Sequence, residues 1–76
     1  MKKLTKRQTD ILLVITEFIR EHNYAPSTRE VGELAGLRSS STVHGHMEQL
    51  RRKGYLDWVE SKPRTMRVLK SNSPSS

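Results

Sequence analysis

Residues 27–54 read Ser-Thr-Arg-Glu-Val-Gly-Glu-Leu-Ala-Gly-Leu-Arg-Ser-Ser-Ser-Thr-Val-His-Gly-His-Met-Glu-Gln-Leu-Arg-Arg-Lys-Gly, and they predict two helices joined by a tight turn. Ser27 and Glu30 have the spacing of a capping box, in which each side chain serves the other's backbone N–H. Val31 and Leu34 form one apolar stripe, and Gly36 is placed to end the helix in a left-handed cap. Leu37 is expected to plug the space between the helices. Ser39 or Ser40 caps the second helix, whose Val43, Met47 and Leu50 fall on one face at i, i+4 and i+7. Gly54 ends it. A capped helix, a glycine turn with an apolar plug and a second helix make a helix-turn-helix.

The outer face of the second helix is unusual for a solvated surface. At about 100° per residue, Ser41, Gly45 and Arg52 lie opposite Val43, with Thr42 and His44 on the flanks. A solvated face more often carries Glu and Lys. Small and hydroxyl side chains suit close approach to a DNA major groove and hydrogen bonding to base edges. The first turns of such a helix sit deepest in the groove, which assigns Ser39, Ser41, Thr42, His44 and Gly45 to the bases. Gly45 costs the helix about 1 kcal/mol against Ala, which suggests a steric requirement on this face.

Working outward, Thr5-Lys6-Arg7-Gln8 opens an earlier helix with another capping box. Ile11, Leu12, Ile15, Phe18 and Ile19 give it a broad core-facing stripe. Phe18, Leu34 and Leu50 are all expected in the core. Lys2, Lys3, Lys6 and Arg7 crowd the start of this helix, where its dipole disfavours cations, which suggests a nearby phosphate. Pro26 keeps Ala25 out of the helical region, and Tyr24 is expected over the core edge. After Gly54 the period falls to two: Tyr55–Val59 and Thr65–Leu69 alternate and predict a β-hairpin. Leu56 and Trp58 face Met66 and Val68, and Asp57 and Arg67 can pair on the outside. The connecting loop carries Lys62 and Arg64 and forms a basic wing. The expected phosphate contacts are Ser27, Thr28, Arg29, Arg38, His46, Arg52 and Lys53, with Lys62 and Arg64 from the wing. The fold class is α+β, mainly α: a winged helix-turn-helix of three helices and a two-stranded antiparallel hairpin over residues 1–70. Residues 71–76 are a polar, Ser-rich tail or the start of a linker.

Composition sets bounds on the function. The chain has 76 residues, no cysteine and a net charge of +6. That describes one small basic domain, drawn to polyanions. No apolar run approaches the ~20 residues of a membrane span. His44 and His46 are about 200° apart on a helix and cannot chelate together, and no cysteine completes a zinc set. No metal, cofactor or nucleophile–base arrangement is expected, and a cytoplasmic location follows.

The assembled motifs resemble the N-terminal DNA-binding domain of the LexA repressors. They are Leu-Thr-Lys-Arg-Gln at 4–8, Tyr-Ala-Pro-Ser-Thr-Arg-Glu-Val-Gly-Glu at 24–33, Gly-Leu-Arg-Ser-Ser-Ser-Thr-Val-His-Gly-His at 36–46, Arg-Lys-Gly-Tyr at 52–55 and Lys-Pro-Arg at 62–64. The Ser-rich run before His44 is similar to the Gram-positive branch. The resemblance implies repression of DNA-damage (SOS) response genes, a palindromic double-stranded operator, a homodimer on DNA, a nucleoid location and, for full-length members, an encounter with the RecA filament. Full-length members continue into a self-cleaving Ser/Lys peptidase domain. These 76 residues hold no Ala-Gly cleavage site after residue 36, so no enzymatic activity is expected of them. The chain is then a domain of a longer repressor or a short regulator of phage or mobile-element genes. Ala25 replaces a more usual Pro, and Arg38 a common Ala. A protein-docking module and an RNA binder are the alternatives. The basic wing disfavours the first, and the lack of interleaved exposed aromatics the second.

Overall fold

Helix boundaries follow from caps. In a computed structural model, which describes residues 4–69, helix α1 runs Lys6–His22, α2 Thr28–Ala35 and α3 Ser40–Arg52. Thr5 and Ser27 both close full capping boxes, with Gln8 and Glu30 as reciprocal partners. Ser39 caps α3 by accepting from the Thr42 N–H at 3.4 Å. Gly36 and Gly54 have φ of 76° and 84°. In each case the next residue's N–H reaches back past the glycine: Leu37 to the Gly32 carbonyl at 2.8 Å and Tyr55 to the Leu50 carbonyl at 3.0 Å. These left-handed caps satisfy carbonyls that the helix ends leave open. Residues 1–3 and 70–76, including Lys2, Lys3 and the polar tail, lie outside the described residues.

The three helices enclose one apolar core. Ile11, Leu12, Ile15, Val31, Val43, Met47 and Leu50 are buried, joined by Leu56 and Met66 from the hairpin. Gln8 is a buried polar group, and its Oε1 accepts from the Thr5 N–H and from Lys53 Nζ.

Leu34 departs from expectation: it is 58% exposed. An eight-residue helix presents only two turns to the core. Val31 and Gly32 fill that face, and Leu34 is left at the rim of the α1–α2 seam beside Val14 and Phe18. The hairpin is also shorter than its alternation implies. Strands β1 (Leu56–Asp57) and β2 (Arg67–Val68) are antiparallel, with Leu56 opposite Val68 and Asp57 opposite Arg67. Beyond them, side chains take over the backbone donors. Asp57 Oδ1 accepts the Trp58 N–H and Thr65 Oγ1 the Val59 N–H, both at 2.9 Å. The ladder stops there, and a loop of its own shape begins.

Candidate nucleic-acid interface

Helix α3 packs Val43, Met47 and Leu50 inward, which leaves Ser39, Ser41, Thr42, His44 and Gly45 exposed. Ser39 is the N-cap, and the other four lie in the N-terminal half of the helix, away from its buried face. A methyl group at Gly45 would meet no atom within 4 Å, so nothing inside this chain requires glycine there. The two histidines separate: His44 is exposed, whereas His46 is half-buried on the flank. His44 Nε2 lies 4.0 Å from a Glu48 carboxylate oxygen, and its ring meets Trp58 edge-on at 5.9 Å.

The wing rises beside this face. A crevice of about 300 Å³ separates Ser27, Thr28 and Arg29, at the start of α2, from Lys62, Pro63 and Arg64 on the wing. Met47, Trp58, Thr65 and Met66 line it as well, and Arg29 and Lys62 bring positive charge to its two walls. Arg29, Arg38, Arg52 and Lys62 are exposed. Arg29 stands 3.7 Å from Glu33, a solvated pair that holds it loosely. Lys53 turns the other way and donates to Gln8 Oε1 at 2.8 Å, tying the end of α3 to the start of α1. Arg64 is engaged within the chain: its guanidinium donates to both carboxylate oxygens of Glu30 at 2.8 and 3.1 Å. That contact is the main reason the Glu30 carboxyl is held below the usual glutamate range, with the Ser27 N–H as the next cause. The Arg64 pKa is raised, chiefly by the same bond.

Four residues outside the sequence-derived site shape it. Arg51 joins α3 to the hairpin: Nε donates to Asp57 at 3.1 Å, one terminal nitrogen to Glu60 at 2.7 Å, and the guanidinium lies 4.4 Å from the Trp58 ring centre. The Glu60 bond is the main cause of its raised pKa. Asp57, expected to pair with Arg67, reaches it only at 4.0 Å and is closer to Arg51. Thr65 fastens the loop by donating toward the Val59 and Lys62 carbonyls. Gly32 lets α2 and α3 meet, since a Cβ there would lie 3.0 Å from Val43 Cγ2 and 3.4 Å from the Leu37 carbonyl. The sequence carried a signal for Gly32 alone: a mid-helix glycine weakens its helix.

Three helices, a close turn between the second and third, an exposed polar face on the third and a hairpin packed beside it define a winged helix-turn-helix. Among the described residues no group of three or more His, Cys, Asp or Glu is placed to hold a metal, and no helix is long and apolar enough to cross a membrane. The family model of the LexA DNA binding domain matches residues 1–65, and the chain belongs to that family. It is 51% identical over 72 residues to the LexA repressor of Bacillus mycoides, which covers 95% of this chain and 35% of that protein. To the LexA repressor of Desulfitobacterium hafniense it is 51% identical over 70 residues, covering 92% and 34%. The chain thus spans about a third of the length of these relatives. A crystal structure of a hypothetical protein superimposes with a TM-score of 0.72 at 25% identity, over 87% of this chain and 20% of that one.

Proposed function

We propose that this chain is a sequence-specific double-stranded DNA-binding repressor of DNA-damage (SOS) response genes. The observation that carries the reading is the outer face of α3. Its first turns expose hydroxyls, an imidazole and a glycine with open space above it, as an element entering a major groove needs. Ser39, Ser41, Thr42, His44 and Gly45 face the bases. Ser27, Thr28, Arg29, Arg38, His46, Arg52 and Lys62 meet phosphates on either side, the crevice between α2 and the wing taking one strand's backbone. Lys53 and Arg64 border this surface from their internal partners. The binding domain is assigned to residues 1–70, and residues 71–76 to a Ser-rich tail or the start of a linker.

One recognition helix reads one half-site, so a homodimer forms on a palindrome with half-sites about 34 Å apart. The relatives bear the name LexA repressor, which supports a repressor. Action at the nucleoid and, for a chain of the relatives' full length, a peptidase domain and the RecA filament as a partner belong to this proposed reading through the family resemblance.

A titration with a selected duplex, a random duplex and single-stranded RNA tests the reading. Gly45→Glu should abolish duplex selection while the fold persists. His44→Ala should narrow the gap between selected and random duplex by about 1–3 kcal/mol. Retention of full selectivity by Gly45→Glu would show that α3 is not the reading head.

A further inference from the structure

Arg64 occupies a costly backbone state for a residue of its size. Its φ is +58°, in the left-handed region that non-glycine residues enter only where their surroundings compel it. Ser61 of the same loop shares that backbone state at +67°; what sets Arg64 apart is the hold on its side chain. Besides the two bonds to Glu30, the guanidinium donates to the Ala25 carbonyl at 3.3 Å and lies 5.1 Å from the centre of the Tyr24 ring. Glu30 Oε1 also accepts the Ser27 N–H at 2.9 Å. One carboxylate therefore closes the cap of α2 and holds the wing. A cation that searches for phosphate needs neither a strained backbone nor three internal partners.

We propose that Arg64 is a positioning residue: it anchors the wing on α2 through Glu30, and so sets the distance between Lys62 and the Thr28–Arg29 wall of the crevice. The inference rests on the DNA-binding reading and removes Arg64 from the direct phosphate contacts that its basic loop suggests. Lys62, exposed two residues earlier, is the group that the anchor delivers.

Glu30→Gln separates the two roles by sign. Glutamine still closes a capping box, so the helix start is kept. If Arg64 were a phosphate ligand restrained by Glu30, removing that negative charge would release the guanidinium and tighten binding. If Arg64 is an anchor, the wing loosens and binding weakens. The experiment measures the affinity of the parent chain, E30Q, R64Q, E30Q/R64Q and K62Q against salt, on a duplex that the parent selects from a random pool. Melting by circular dichroism checks the helices. E30Q and R64Q should each weaken binding by about two- to fivefold, the range of an exposed ion pair. The double variant should be no weaker than R64Q, and all three should keep the parent's salt slope. K62Q should lower that slope by about 0.9, one phosphate's worth. Binding by E30Q as tight as the parent's or tighter, or a slope lost in R64Q as in K62Q, overturns the anchor. Selection of no duplex by the parent overturns the DNA reading itself, which the amide exchange of Val59 in unbound E30Q and parent distinguishes from a failed anchor.

Discussion

Where α1 meets α3 the contact is mainly apolar: Ile11, Ile15, Met47 and Leu50 are sealed from water, with the Lys53–Gln8 bond at one end. Where α3 and α2 meet the wing, charge does most of the holding. Arg51 clamps Asp57 and Glu60, and Arg64 clamps Glu30. From the hairpin, Leu56 and Met66 are buried in the core, with Tyr55, Trp58 and Val68 half-buried against it. Burial of apolar surface is non-directional and is not screened by salt as ion pairs are, so it holds the helices across a wide range of ionic strength. Ion pairs at half-exposed positions are directional, and salt and pH weaken them. The helical half is thus a rigid platform, while the wing is a part whose position is set by a few replaceable side chains.

The largest test of this contrast lies in the core. Leu50→Ala should cost about 2–5 kcal/mol, most of the stability of a domain this small. Leu34→Ala, at a site 58% exposed, should fall within the about 0.5 kcal/mol typical of surface changes. Thermal or urea unfolding of both variants compares them. Equal losses would mean that α2 is seated with its other face inward.

Two glycines give a smaller and opposite pair of effects. Gly32→Ala should destabilise by about 1–3 kcal/mol through overpacking against Val43, less the gain in helix propensity. Gly45→Ala meets open space and should stabilise by up to about 1 kcal/mol. Urea midpoints decide. A stabilised Gly32→Ala would show that the α2–α3 contact yields, and that the helical half is less rigid than its burial implies.

The sequence made the helical half legible because its rules are local. A cap needs residues three apart, and an apolar face needs a period, so Thr5, Ser27 and the stripe from Val43 to Leu50 could be read directly, while the spacing leaves the cap of the third helix between Ser39 and Ser40. Leu34 misled because period says which side is apolar, and not how far a neighbour extends over it. The wing was legible as a hairpin and illegible as a structure. Arg51 reaches Asp57 and Glu60, and Arg64 reaches Glu30, across separations of 6, 9 and 34 residues. No periodicity encodes those meetings, so a basic loop reads as a phosphate-seeking loop even where one of its cations is spent internally. Of the candidate site, the face of α3 followed from spacing. The role of Arg64 required the third dimension.

The smallest effect tests the wing alone. Glu30 has its pKa lowered in the folded chain, first by Arg64 and then by the Ser27 N–H. A carboxylate of this kind contributes stability that is fully present above the ordinary glutamate pKa. That contribution is lost as pH falls through the lowered folded value. Among the described residues the buried core is apolar apart from Gln8, so it holds no carboxylate that competes with Glu30. Acidification below the ordinary glutamate range should therefore loosen the loop from Glu60 to Thr65 before the helices melt. Backbone NMR signals of Ser61, Lys62 and Thr65 should move with acid in the parent chain. In Glu30→Gln they should start displaced at neutral pH, toward the parent's acidic positions, and the two proteins should converge as pH drops. Identical signals in the two proteins at every pH would mean that Glu30 does not hold the wing. The contrast between an apolar platform and a charge-held wing would then rest on Arg51 alone.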